Sequence, residues 1–120
     1  MISAILNIIQ TMSYSYLYQR KYKDGTLWFP DHGKWQRAYH LVRHADLLEG
    51  YHVGRCYLYT KLTYDLDEEE SWKRVETLFI NRMYKYVSDG WITHPYALIH
   101  TPRLEQEARD CFITRKWDYQ

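Results

Sequence analysis

His52-Val-Gly-Arg-Cys-Tyr-Leu-Tyr-Thr-Lys-Leu-Thr-Tyr64 is the stretch on which the reading of the fold turns. Its side chains sort with period two. His52, Gly54, Cys56, Leu58 and Leu62 fall on one face, and Val53, Arg55, Tyr57, Tyr59 and Lys61 on the other. Alternation of this kind, rich in aromatic and β-branched residues, predicts a long strand. Residues 13–22 alternate in the same way, with Tyr14, Tyr16, Tyr18, Arg20 and Tyr22 opposite Ser15, Leu17, Gln19 and Lys21. Lys23-Asp24-Gly25-Thr26 then supplies a hairpin turn, because glycine accepts the positive φ that such turns require. Thr26 to Phe29 is the return strand, stopped by Pro30, and Trp91 to His100 predicts a fourth strand weakened by Pro95.

Helical periodicity takes over in the intervals. From Gly33 to Glu49, ahead of Gly50, Trp35, Ala38, Tyr39, Leu41, Val42, Ala45 and Leu48 share a broad apolar side. The opposite side carries Gln36, Arg37, His40, Arg43 and His44, which predicts an exposed cationic face. The acidic run Asp65-Leu-Asp-Glu-Glu-Glu70 opens a helix at the end where carboxylates complement the helix dipole. Trp72, Val75, Phe79, Met83, Tyr86 and Val87 follow at core spacing, up to Asp89-Gly90. Thr101-Pro102 reads as an N-cap and first-turn pair. It would start a last helix with Leu104, Ala108, Cys111, Phe112 and Arg115 on one side.

This order predicts an α+β fold: a small antiparallel or mixed sheet of about four strands, begun by the N-terminal hairpin and packed against three helices. Residues 1–12 form an amphipathic segment ahead of a single α+β domain over 13–120. Apolar residues at 2, 5, 6, 9 and 12 predict a short helix that docks on the core or on another subunit. The segment lacks the positive start of a signal peptide, and Asn7 and Gln10 interrupt its apolar run. It is too short to span a bilayer, and no membrane association is expected.

Composition narrows the function. Aromatic residues make up 18% of the chain, and thirteen Tyr and five Trp far outnumber three Phe. Tyr and Trp combine an apolar body with a polar handle and, with Arg, are enriched at binding hot spots. The formal net charge of +1 does not favour a strongly electrostatic polyanion binder. It divides unevenly, with +4 on residues 1–62 and −3 on the remainder. Cys56 and Cys111 are too few for a disulfide scaffold and sit among apolar neighbours, so buried free thiols and an intracellular, cytoplasmic setting are expected. The chain has no GxGxxG, P-loop, GxSxG or paired CxxC motif, which disfavours nucleotide-dependent enzymes, serine hydrolases and zinc ribbons. No cofactor is expected.

Three constellations remain. His32, His40, His44 and His52 cluster in sequence, and His40 and His44 at i, i+4 have the spacing to reach one metal. Arg37 and Arg43 flank the pair and oppose a cation, so a cationic partner-binding face is the preferred reading and a metal- or His-dependent hydrolase the lesser one. Arg55, Tyr57, Tyr59 and Lys61 would align two rings and two cations on one strand face, as single-stranded nucleic-acid binders do. Asp65, Asp67, Glu69 and Glu76 fall at EF-hand positions, but Glu70 stands where that loop needs glycine, so these acids are assigned to a helix start.

The sequence therefore points to a small non-enzymatic interaction protein that binds, and inhibits or scaffolds, a macromolecular partner. Short, motif-free, aromatic-rich chains of this kind are used by viruses and phages against host factors. A protein is the expected partner, through Arg37, His40, Arg43, His44, Arg55, Tyr57, Tyr59 and Lys61. Single-stranded nucleic acid is the alternative partner. A homodimer formed through the N-terminal segment or a tyrosine-rich face is a further expectation.

Overall fold

A computed structural model describes residues 2–21 and 29–117. Among them there is no strand, and the expected α+β fold is replaced by six α-helices. These are α1 (Ile2–Thr11), α2 (Tyr14–Lys21), α3 (Gln36–Glu49), α4 (Val53–Tyr64), α5 (Glu68–Asn81) and α6 (Pro95–Thr114). Short 3-10 turns at Gly33–Trp35 and Met83–Lys85 precede α3 and follow α5. The expected turn at Lys23–Thr26 and the return strand through Trp28 lie outside the described residues. The chain divides into two compact units, Met1–Leu47 and Leu48–Gln120.

The stretch 52–64 is a helix because both of its ends are chemically closed and its burial follows a 3.6-residue period. His52 caps α4, its Nδ1 accepting from the Arg55 N–H at 3.1 Å. Asp65 ends it in the left-handed conformation (φ 51°), which Asp tolerates better than most residues, and its N–H donates to the Lys61 carbonyl. The buried set is Val53, Gly54, Tyr57 and Thr60. Tyr57 and Tyr59, two residues apart, are therefore on opposite sides of the helix rather than side by side on a strand. The stretch 14–21 is corrected on the same grounds. Tyr14 and Tyr18 stack one turn apart with centroids 5.6 Å apart, and Leu17 is the residue turned inward.

The acidic run does begin a helix, as expected. Asp67 caps α5 by accepting from the Glu70 N–H at 2.8 Å, and Glu68, Glu69 and Glu70 occupy the first turn. Trp72, Val75 and Phe79 are buried on one stripe, and Met83 and Tyr86 continue the core beyond the helix end. Val87, expected in that core, is exposed.

The expected strand at 91–100 fails at His94-Pro95. His94 caps α6, with Nδ1 accepting from the Tyr96 N–H, and Pro95 takes the first helical position, where a missing N–H costs nothing. Thr101-Pro102 thus lies inside α6 instead of starting it. Pro102 has no N–H for the Leu98 carbonyl, four residues back. The Thr101 hydroxyl takes that place, donating to the Leu98 oxygen at 3.2 Å.

The C-terminal unit is held by a chain of rings. Tyr57 stacks on Trp72 with centroids 4.3 Å apart, and Trp117 meets Tyr57 and Trp72 edge-on at 5.7 and 5.9 Å. Phe112 continues the contact from Trp72 to Phe79. Arg115, left-handed at φ 57°, turns the chain at the end of α6 and forks onto the Glu69 carboxylate. That ion pair holds the Glu69 carboxyl below, and the Arg115 guanidinium above, its ordinary range. Gly54 makes room for the returning indole: a Cβ there would stand 2.3 Å from Trp117 Cγ and Cδ1.

Gly54→Ala should expel the Trp117 indole and cost about 1–3 kcal/mol by overpacking. In a Trp117→Ala background the same change should be neutral or slightly stabilising, because alanine is the better helix former by roughly 0.5–1 kcal/mol. Urea unfolding of the four proteins checks both statements. Thr101→Val should destabilise by about 1 kcal/mol through the Leu98 carbonyl it leaves unpaired, measured in the same way.

Candidate functional site

Within the N-terminal unit, a short polar network sets the start of α3. The Gln36 side chain accepts from the His32 N–H at 2.6 Å and donates to the Pro30 carbonyl at 3.1 Å. Further along, Tyr39 is fully buried. Its hydroxyl donates to the Thr11 carbonyl at 2.8 Å, at the last residue of α1, while the His32 ring stacks on it at 4.6 Å. Burial pushes the Tyr39 hydroxyl up to about 12, so it stays protonated and able to donate.

This anchoring fixes which side of α3 faces inward, and that side joins Tyr39 and Leu47 to two residues that hydrophobicity alone would leave outside. Arg43 is 1% exposed and His44 5% exposed, whereas Leu41, Val42 and Ala45 are exposed. The Arg43 guanidinium lies 4.4 Å from the Phe29 ring centroid and donates from Nε and Nη2 to His40 Nδ1 at 3.4 and 3.3 Å. Burial pulls Arg43 down to about 10, which still leaves it charged at neutral pH. His44 Nδ1 donates back to the His40 carbonyl at 2.6 Å. The expected cationic surface is therefore largely internal. Of its members, Arg37 is exposed and His40 is half-buried.

The other expected site residues are likewise dispersed. Arg55 is exposed and ion-paired with Glu49. Tyr57 belongs to the ring core, Tyr59 faces solvent, and the half-buried Lys61 reaches toward the Tyr57 ring at 5.8 Å. These four residues do not form a base-stacking platform. Among the described residues, no three His, Cys, Asp or Glu side chains are grouped to hold a metal. Both cysteines are free thiols; Cys111 is buried and Cys56 half-buried, and burial pushes both thiols up, away from the reactive thiolate. Among the described residues, no helix is long and apolar enough to cross a membrane.

What the N-terminal unit does present is an apolar groove of about 310 Å³ between α1 and the start of α3. Ala4, Ile5, Ile8, Ile9, Trp35, Ala38 and Val42 line it. Ile8 is buried at its base, while Ile5, Ile9 and Val42 remain open to solvent along its walls. Ile2 and Leu6 extend the exposed aliphatic surface along α1, Ile2 being 76% exposed. A contiguous apolar patch of this sort marks an interaction surface in a folded protein. The apolar spacing of residues 1–12 was legible in the sequence. The part played by Val42 was not, because α3 buries Tyr39 and Arg43 and leaves Leu41, Val42 and Ala45 from the expected apolar side exposed.

The C-terminal unit has a second groove, also of about 310 Å³, lined by Glu76, Ile80, Tyr84, Arg109, Phe112 and Ile113. There Arg109 lies 4.3 Å from the Tyr84 ring centroid and pairs with Glu105 at 3.7 Å, so its charge is already engaged within the unit. Compared with known protein families, curated proteins and solved structures, the chain matches none.

The buried histidine network predicts sensitivity to acid. Burial, followed by the charges of Arg43, His44 and His32, holds His40 below its ordinary range. The unfolded chain binds this proton near pH 6.5, before the folded one does. The associated stability is thus complete above about pH 6.5 and is lost as pH falls through the lower folded value. The thermal midpoint should drop by a few degrees between pH 7 and pH 5, and His40→Gln should flatten that slope.

Proposed function

We propose that this protein is a small, non-enzymatic interaction protein whose docking surface is the apolar groove and ridge formed by α1 and α3. The observation that carries this reading is the orientation of α3, which keeps Arg43 and His44 inside and leaves Leu41 and Val42 in solvent. Internalising a guanidinium while exposing aliphatic side chains runs against transfer energetics for an isolated surface helix. The same arrangement is favourable when a partner covers the aliphatic side. The partner is a protein, since an uncharged groove of Ile, Val, Ala and Trp side chains offers nothing to hold phosphates. Binding there would occupy or scaffold the partner rather than transform it. Free thiols fit a reducing, intracellular setting, which we take to be cytoplasmic.

Ile5→Asp and Val42→Asp place a charge in the groove wall at positions already open to solvent. Proteins co-purifying with the wild-type chain should be lost from both variants and retained by Tyr59→Ala, which alters an exposed ring in the other unit. Circular dichroism should show unchanged helix content. Retention of the same proteins by the groove variants would overturn the assignment of this surface.

A further inference from the structure

We infer that the occupant of the α1–α3 groove is a second copy of the same chain, packed about a two-fold axis with α1 against the partner's α1. This rests on the reading of that face as a docking surface and names what docks there. The first reason is shape. Ile5 and Ile9 form one wall of the groove, and Ile2 and Leu6, also four residues apart, form the next exposed row on the same helix. Rows at i, i+4 on one helix pack into the grooves beside the equivalent row on another, the commonest mode of helix contact. Each copy therefore carries both the ridge and the groove that receives it, which is the requirement for an isologous interface.

The second reason is charge. A two-fold axis sets each residue near it against its own copy, so any charged side chain there would meet a like charge. Residues 2–11 contain no Asp, Glu, Lys, Arg or His, and neither does the groove lining. The polar residues of α1 are the uncharged Ser3, Asn7, Gln10 and Thr11. A surface selected for a charged heterologous partner has no reason to lack charge so completely, whereas a self-complementary one does.

The third reason is area. Ile2, Ile5, Leu6, Ile9 and Val42, each between about two-fifths and three-quarters exposed, present on the order of 500 Å² of surface per copy. A standard stable interface buries about 800 Å² per partner. The patch supplies more than half of that.

Sedimentation equilibrium over a hundredfold range of concentration tests the inference with the intact chain. The wild type should show twice the chain mass. Leu6→Asp and Val42→Asp should show the single mass with unchanged helix content, while Ile113→Asp, an 82% exposed position in the other unit, should remain double. Leu6→Cys should form a self-disulfide between copies on mild oxidation, found by mass spectrometry as a peptide joined to its own twin. A wild type that is monomeric throughout, or a Leu6→Asp variant as dimeric as the wild type, would overturn the inference. Monomers that float with phosphatidylcholine vesicles through this face would overturn it in favour of a lipid surface. A monomer that loses a co-purifying protein on Val42→Asp overturns the dimer but keeps the docking surface; a monomer with nothing bound there overturns both.

Discussion

The hydrogen bond from the Tyr39 hydroxyl to the Thr11 carbonyl sets the arrangement of the N-terminal unit. It ties the middle of α3 to the end of α1, across twenty-eight positions of sequence, at a carbonyl that the helix itself leaves unpaired. With Tyr39 fixed inward, helical geometry dictates the rest of α3. Arg43, one turn on, is carried to the same side, while Val42 is directed toward α1 and solvent. The guanidinium is tolerated there because Phe29 and His40 receive it with a ring face and a ring nitrogen. The exposed aliphatic face is thus the other side of one buried tyrosine.

The C-terminal unit solves a different problem with the same residue types. Its helices present few large aliphatic residues to one another, and aromatic contacts run from Tyr57 through Trp72 and Phe112 to Phe79. Offset stacking and edge-on contacts add directional preference to burial. The turn at Arg115 closes this arrangement by bringing Trp117 back onto the first helix of the unit. Much of the tyrosine and tryptophan excess that suggests recognition is used here for construction.

What was legible in the sequence is what local chemistry decides. The start of α5 within the acidic run 65–70, the extent of 33–49 as helix and the apolar spacing of α1 were all readable from charges, periods and glycines. The two tyrosine stretches were not, because aromatic residues at every second position satisfy a period of two while also placing Tyr14 and Tyr18 one helical turn apart. Deciding between those periods needs the partner surface, and at 53–64 the buried set spans 53, 54, 57 and 60. The burial of Arg43 and His44 was hidden for a related reason. Arg43 and His44 look like solvent residues until Phe29 is known to face the guanidinium and His40 to bond both. Thr101-Pro102 carries the same signature at a helix start as in a helix interior repaired by a hydroxyl.

Gly54 and Trp117 illustrate how such a fold constrains its own history. While the indole is in place, a side chain at position 54 is excluded by contact. Once the indole is lost, helix propensity favours alanine over glycine at that position, and any lineage that accepts the alanine closes the pocket behind it. Restoring tryptophan at 117 alone then brings back the clash rather than the core. The order in which the two substitutions arise decides whether they can be reversed, so the pair acts as a one-way step in the divergence of this chain.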